Sequence, residues 1–508
     1  MIRRLLIANR GEIAVRIARA CREMGVETVA VYSEADARAT HVGAADRAIA
    51  IGPARSADSY LNTKAILDAA RLSGADAVHP GYGFLSENAA FAAACESAGL
   101  VFVGPTSDVI RRMGSKIEAR RTMAAAGVPV VPGETPADQT DAGLRRAVEH
   151  SGLPALIKAS AGGGGKGMRR VNAPDEILDA LVGARREAEA AFGDGTLYVE
   201  RLFERPHHVE VQIFGDAHGQ IVHLFERDCS VQRRHQKVIE ETPSPLVTSV
   251  GGDLGARIRA AAVLAARVVS YRNAGTVEFL VTSEGASSEF YFLEMNTRLQ
   301  VEHGVTELVA GIDLVHAQLL VAAGQPLPWT QAQIASRGHA VEARVYAEDP
   351  AQGFLPQSGP LLLYREPALP GVRIDSGVRE GDNVSVHYDP LMAKVMAVAE
   401  SRPLALARLR AALKQFPILG IRTNIPFLLQ VLAHPDFEAG RLDTGFLDRH
   451  TSWLTRDRTP PPLVLAAMDA HRDGSLVAAS RPASSTNAGM LQGAATPDPW
   501  TLLRGWRG

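Results

Sequence analysis

Glu294-Met295-Asn296-Thr297-Arg298-Leu299-Gln300-Val301-Glu302 is the stretch from which the rest of the chain can be read. Taken as extended backbone, its side chains alternate between two faces. One face carries Glu294, Asn296, Arg298, Gln300 and Glu302, and the other Met295, Thr297, Leu299 and Val301. A solvated strand face is the ordinary source of such alternation. The order carboxylate, amide, guanidinium, amide, carboxylate instead suits a site that handles charge.

Just upstream, TVEFLV (276–281) and EFYFLEM (289–295) are aromatic and β-branched runs flanking a polar segment, 283–288, suited to a hairpin loop. Pairing the runs about that loop sets Glu278 opposite Glu294. Facing carboxylates repel, and a hard divalent cation offsets that cost, with Asn296 two residues along as a further oxygen ligand. Mg²⁺ or Mn²⁺ is typically held by only one or two carboxylates, with nucleotide phosphates completing its shell.

The 508 residues exceed what one hydrophobic core usually serves and predict about three units. With 54 basic and 56 acidic residues, no bulk charge points to nucleic acid or an anionic membrane surface. Cys21, Cys95 and Cys229 show neither metal-type spacing nor a disulfide framework, which predicts a reducing compartment. Met1 runs directly into an apolar strand and no apolar run reaches spanning length, so a cytoplasmic location without membrane contact is expected.

Residues 1–112 alternate strands (4–8, 27–32, 47–51, 75–79, 100–103) with helices (12–24, 60–72, 87–98), the rhythm of a doubly wound parallel sheet. The first turn, Asn9-Arg10-Gly11-Glu12, lacks the G-x-G-x-x-G dinucleotide pattern. His79-Pro80-Gly81-Tyr82-Gly83 fits either a ligand loop at a strand's carboxyl end or a plain tight turn. Across 113–335, Lys158 precedes the run Gly162–Gly165, followed by Lys166 and Gly167. Bare backbone N–H groups between two lysines suit a phosphate, although Gly167 after Lys166 departs from the P-loop pattern. His208, Glu210 and Gln212 share one strand face. The basic hexad Gln232–Lys237 reads as solvated surface or as an anion pocket. Residues 336–446 read as a second α+β unit, with strands at 339–346, 361–364 and 392–398 and helices at 403–415 and 424–433. The stretch 447–508, with a short helix at 463–471, reads as a linker or the start of a truncated following domain.

Together these segments resemble the biotin carboxylase family of ATP-grasp enzymes, as found in the α subunits of acyl-CoA carboxylases. The motifs that carry the resemblance are IANRGEIAVRI (7–17), HPGYGFLSEN (79–88), KASAGGGGKGM (158–168), ERDCSVQRRHQKVIEE (226–241), EMNTRLQVEH (294–303) and RGHAVEARVYAED (337–349). The resemblance implies an α/β and α+β chain: an N-terminal doubly wound domain (1–112), an ATP-grasp domain (113–335) with a glycine-rich lid at about 130–203, and a C-terminal α+β domain (336–446).

It also implies roles. Lys116 and Lys158 would bind ATP phosphates, with Gly163, Gly164, Gly165 and Gly167 in the lid. Glu200 and the backbone near Phe203 would hold adenine, with His208, Gln232 and His235 completing the nucleoside pocket. Glu278, Glu294 and Asn296 would ligate Mg²⁺ or Mn²⁺, two ions in all. Lys237, Arg298, Gln300 and the Val301 backbone would cradle bicarbonate, Glu302 would be the general base, and Arg344 would contact only the second substrate, biotin.

Two departures from the family pattern carry expectations. Gly304 stands where proline is common after the His of VEH, which predicts a looser turn behind Glu302. No Ala-Met-Lys-Met acceptor sequence occurs, so biotin would arrive on a separate carrier protein or domain and pass to a carboxyltransferase β subunit, within a homo-oligomer or hetero-oligomeric complex. Another ATP-grasp ligase, joining a carboxylate to an amine, and a non-catalytic scaffold subunit are the competing readings.

Overall fold

Five parallel strands open the chain, in the spatial order Arg47–Gly52, Glu27–Ser33, Arg4–Ile7, Ala77–His79, Val101–Phe102. The central strands Glu27–Ser33, Arg4–Ile7 and Ala77–His79 are almost wholly buried, as in a parallel sheet covered on both faces, while the edge strand Arg47–Gly52 is largely exposed. Helix Thr63–Ser73 shows the local logic. Ile66, Ala69, Ala70 and Ser73 are buried at helical spacing, Asn62 accepts from the Ala65 N–H at the start, and Gly74 (φ +66°) ends it. The helix expected from residue 60 begins at Thr63 because Asn62, in extended backbone conformation, caps it there; Ser56–Asp58 before it forms a separate 3₁₀ turn. In this computed structural model, residues 2–160, 167–282 and 288–454 are described, with 465, 466 and 469 besides. Gly163, Gly164, Gly165, the loop 283–287 and most of the helix expected at 463–471 lie outside them. Met1–Thr455 forms one unit and Arg456–Gly508 a second.

Between residues 130 and 203 a four-stranded antiparallel sheet runs Gly133–Glu134, Leu197–Arg201, Ala155–Ala159, Arg169–Val171. Helices Asp141–Ser151 and Ile177–Phe192 flank it over a core of their own that includes Leu144, Val148, Ile157, Leu181 and Val199.

The site is carried by a third, eight-stranded antiparallel sheet. Its order is Glu289–Asn296, Asn273–Thr282, His207–Gly215, Ile221–Arg233, Gln236–Thr242, His339–Tyr346, Leu391–Ala399, Val372–Ser376. The last three strands come from the stretch read as a second α+β unit. They extend the preceding sheet, with Glu240 opposite Glu342, so the boundary at 335/336 falls within one continuous sheet. Helices Arg402–Lys414 and Ile425–Leu432 contribute Leu409, Leu413, Phe427 and Leu428 to the core packed on this end.

Candidate active site

Glu278 stands opposite Glu294, the pair expected from sequence, but through a β-bulge between Glu278 and Phe279 that shifts the register by one residue from that of the pairs beside the loop. The row continues across the sheet, with Glu210 opposite Glu278 and Arg227 opposite Glu210. Three carboxylates in adjacent cross-strand positions repel one another, and cations offset this. Lys237 Nζ donates to Glu210 Oε2 (2.6 Å), Glu278 Oε1 (2.8 Å) and Glu302 Oε1 (2.7 Å). Arg227, fully buried, donates to Glu210 Oε1 (2.6 Å), Gln212 (2.9 Å) and Thr306 (2.9 Å). His208 Nε2 lies 3.2 Å from Glu278 Oε2, and Lys116 Nζ lies 3.4 Å from Glu294 Oε2. Burial opposes the Lys237 charge, but Glu210, Glu278 and Glu302 outweigh it and hold its pKa well above normal. Burial likewise disfavours ionised Glu278, yet Lys237 and His208 hold its carboxyl well below the usual range.

Lys237 owes its position to a tight turn. Strands Ile221–Arg233 and Gln236–Thr242 are joined by Arg234 and His235, both with positive φ (49° and 66°), the backbone of a two-residue type I′ hairpin. The basic hexad is thereby dispersed. Lys237 points to the carboxylates, Arg233 donates to Glu348 (2.9 Å) over the Phe354 ring, and Arg234 and His235 line a cavity.

The extended reading of 294–302 holds only as far as Asn296. The strand ends there, the chain turns, and Glu302 (φ −81°, ψ 11°) is the N-cap of helix His303–Ala310. Helix and sheet nonetheless bring the same side chains together. Arg298 donates to Glu87 (2.9 Å), Gln300 Oε1 (2.9 Å) and Asn296 Oδ1 (3.1 Å), and Gln300 donates to Glu278 (3.2 Å). The Val301 carbonyl accepts from buried Lys394 (2.7 Å).

Glu302 is wholly buried, and its Oε2 accepts from Arg344 Nη2 at 2.9 Å. Burial would raise its pKa, but Lys237, Arg344 and Arg227 hold it well below the ordinary value. Arg344 also donates to Glu240 (2.6 Å). Antiparallel pairing of the 339–346 strand brings Arg344 against the Glu302 carboxylate, a contact within the protein that sequence reasoning did not give it. The expectation for Gly304 is corrected. This residue lies within the helix, and a Cβ there would fall 2.2 Å from Met396 Sδ. Close packing, not a loose turn, is its physical role.

Three hollows surround the cluster. Lys158, Glu200, Phe203, His208, Gln232 and His235 line one of 340 Å³. There Glu200 accepts from Lys158 (2.8 Å) and from Arg120 (3.0 Å), Gln232 Nε2 lies 3.4 Å from His208 Nδ1, and Phe203 stacks on Tyr291 (5.2 Å). Gly167 (φ +70°) closes the loop where a Cβ would come 2.9 Å from that of Ala159. Lys116, Glu87, Glu294 and Asn296 line a second, of 230 Å³. Tyr82, Phe84, Arg298, Val301, Arg344 and Tyr388 line the third and largest, of 480 Å³. The His79–Gly83 loop reaches that wall because Asn9 Nδ2 donates to the Pro80 and Tyr82 carbonyls (both 2.7 Å). Gly81 (φ +62°) lets Asn9 approach.

Sequence reasoning gave no role to Arg227, Glu240, Arg120, Glu87 or Lys394. Arg227 was findable, since a buried cation is needed beside Glu210 once the strand alternation is accepted. The others act across 80 or more residues of sequence or through strands whose pairing is not local.

Comparison with known proteins follows the same layout. Residues 1–110 match the family description "Biotin carboxylase, N-terminal domain", 115–330 "Carbamoyl-phosphate synthase L chain, ATP binding domain", and 342–449 "Biotin carboxylase C-terminal domain". The chain is 51% identical over 450 residues to biotin carboxylase of Halalkalibacterium halodurans, covering 89% of this chain and 98% of the relative. It is 51% identical over 479 residues to the mitochondrial methylcrotonoyl-CoA carboxylase subunit alpha of Glycine max, covering 94% of this chain but 65% of that protein's length. Among solved structures, the biotin carboxylase domain dimer of Hydrogenobacter thermophilus 2-oxoglutarate carboxylase, in complex with MgADP, ADP and bicarbonate, superimposes with a TM-score of 0.86 at 41% identity, covering 90% of this chain and all of that one. Campylobacter jejuni biotin carboxylase in its β,γ-ATP complex gives 0.85 at 44% identity, covering 89% and 99%.

Proposed function

The chain belongs to the biotin carboxylase family, and on that premise we propose that it uses ATP and bicarbonate to carboxylate biotin. The observation that carries the reading is the convergence of Lys237, Arg344 and Arg227 on one buried carboxylate, Glu302, beside Arg298 and Gln300. A poor nucleophile such as bicarbonate needs a base and a cradle for its charge in the same place.

In this reading Lys237, Arg298, Gln300 and the Val301 backbone bind bicarbonate, and Glu302 takes its proton as the terminal phosphoryl group of ATP is transferred. Lys237 turns from Glu302 toward the substrate anion as it binds. The carboxylate thereby loses a partner that suppresses its basicity, so base strength rises when it is needed. Lys116, Lys158 and the glycine loop hold the phosphates and Glu200, Phe203, His208, Gln232 and His235 the nucleoside, while closure excludes water from carboxyphosphate. Arg344 presents its guanidinium to the ureido group of biotin in the 480 Å³ hollow.

The donor set fits a divalent cation. Glu278 and Glu294 are paired across the hairpin, and Asn296 beside them offers its amide oxygen, which accepts from Arg298 at 3.1 Å. Glu278, Glu294 and Asn296 would hold Mg²⁺ or Mn²⁺, which when bound neutralises charge on phosphate oxygens. Among the described residues no single helix is long and apolar enough to cross a membrane. The three free, buried cysteines fit a reducing cytoplasm. A biotin carrier, a carboxyltransferase partner and an oligomeric assembly complete the reading; the similar domain of Hydrogenobacter thermophilus 2-oxoglutarate carboxylase is a dimer.

The test is ADP release from ATP and Mg²⁺ with bicarbonate and free biotin varied. Turnover that requires bicarbonate and rises with biotin is expected. Turnover indifferent to bicarbonate but dependent on an added amine would favour a carboxylate–amine ligase.

A further inference from the structure

Three metal-ligating side chains outside the catalytic cluster converge where the short helix Pro435–Glu438 meets helix Phe446–Leu454. Asp436 Oδ2 lies 3.9 Å from His434 Nδ1 and 3.6 Å from His450 Nε2, and the two imidazole centroids are 4.1 Å apart. All three ligand atoms fall within 4.8 Å of one another.

The surroundings orient them. Arg441 donates from Nε (2.9 Å) and Nη2 (2.5 Å) to the other carboxylate oxygen, Asp436 Oδ1, which leaves Oδ2 facing the histidines. A ligating carboxylate is commonly hydrogen-bonded in this way through its other oxygen. The His434 ring is held edge-on against Phe446 (5.3 Å) and Trp453 (4.9 Å), and its Nδ1 caps the short helix by accepting the Asp436 N–H at 3.2 Å, a bond that a metal at Nδ1 would replace. Tetrahedral zinc with bonds near 2.0–2.1 Å needs ligand atoms about 3.4 Å apart. The two spacings to Asp436 Oδ2, 3.6 and 3.9 Å, are 0.2 and 0.5 Å longer than that, and all three ligand atoms lie within 4.8 Å, so a bound ion would draw them together.

We propose that His434, Asp436 and His450 form a binding site for a zinc-class divalent transition metal, with water at the remaining position. Two imidazoles and one carboxylate select this class over Mg²⁺ and Ca²⁺, which prefer all-oxygen shells. The ion cross-links the Pro435–Glu438 turn to helix Phe446–Leu454. That helix and the residue before it contribute Asp448 and Gly445 to the wall of the hollow lined by Lys158 and Glu200. The site therefore staples that wall in place.

The full-length protein is stripped with chelator, supplied with excess Mg²⁺ to fill hard-cation sites, and titrated with ZnCl₂ by calorimetry. One saturable site is expected, weakened at least about tenfold in His450→Gln and in Asp436→Asn, with an upward shift of the wild-type unfolding temperature. Wild-type protein titrated with CoCl₂ should also develop the strong visible absorption of four-coordinate cobalt and lose it on adding zinc, a readout independent of whether the variants fold. Zinc binding unchanged in both variants, or only the faint spectrum of hydrated cobalt, would overturn the proposal and leave an ordinary ionic trio.

Discussion

Arg344 Nη2 lies 2.9 Å from Glu302 Oε2, joining two residues 42 positions apart and wholly or nearly buried. The same guanidinium holds Glu240, so one side chain spans the candidate base and a carboxylate whose pKa burial, then the Glu302 charge, push up to about 7 in spite of Arg344. The candidate base thus belongs to an ionic network, and perturbing either partner should be felt by the other.

Glu302→Gln keeps shape and hydrogen bonding but cannot accept a proton. Bicarbonate-dependent ATP cleavage is expected to fall by about 10²–10⁴-fold, with ADP affinity by titration close to wild type. Because its cations keep Glu302 ionised below the ordinary carboxylate range, it should add no acidic limb to kcat/KM between pH 5 and 8, a window set about the reference carboxyl and imidazole values. A limb near the Glu240 value of about 7 that survives in Glu302→Gln would move the base to Glu240.

Arg344→Gln leaves two buried carboxylates short of a cation. Breaking such a pair from one side costs about 3–5 kcal/mol, so lowered urea stability is expected. ATP cleavage should fall together with carboxybiotin formation, because Glu302 loses an orienting partner. Bicarbonate-dependent cleavage at the wild-type rate with only carboxybiotin lost would confine Arg344 to the second substrate.

Gly304→Ala pits two effects against each other. Alanine favours the helix by up to about 1 kcal/mol, but its Cβ would fall 2.2 Å from Met396 Sδ, so the fully buried Met396 would have to shift against its neighbours. Overpacking costs about 1–3 kcal/mol, so net destabilisation is expected by urea unfolding. Met396→Ala should relieve it in the double variant; additivity of the two changes would refute the contact.

His79 is buried, with Nδ1 accepting from the Gly81 N–H (3.0 Å) and Nε2 lying 3.2 Å from Gln318 Oε1. Burial lowers its pKa to about 4. Since the folded value is depressed below the ordinary 6.5, the neutral ring's contribution is complete above pH 6.5 and is lost as pH falls through about 4. Comparing wild type with His79→Asn by chemical unfolding across that window should give a flatter acid dependence in the variant. Parallel curves would show that His79 is not titrating.

Much of this protein was legible in one dimension because its rules are local. Alternation about one polar loop placed Glu278 near Glu294, but the pairs beside the turn, Thr282 with Glu289 through Phe279 with Phe292, would set Glu278 opposite Leu293, and a β-bulge between Glu278 and Phe279 completes the match. The rhythm of apolar strands and Gly-terminated helices, itself local, gave the parallel sheet of the first 112 residues. What lay beyond sequence was decided by pairing between distant segments. The extended pattern of 294–302 continues on paper past Asn296, but the chain leaves the sheet there and Glu302 arrives from a helix N-cap. Nothing local reveals that strand 339–346 joins the sheet edge at Gln236–Thr242, and that junction alone carries Arg344 to Glu302. Nor could the hexad around Lys237 announce one ammonium shared by Glu210, Glu278 and Glu302. Those residues are 27, 41 and 65 positions away, and only burial in one sheet makes so costly a gathering of like charges stable around a single cation.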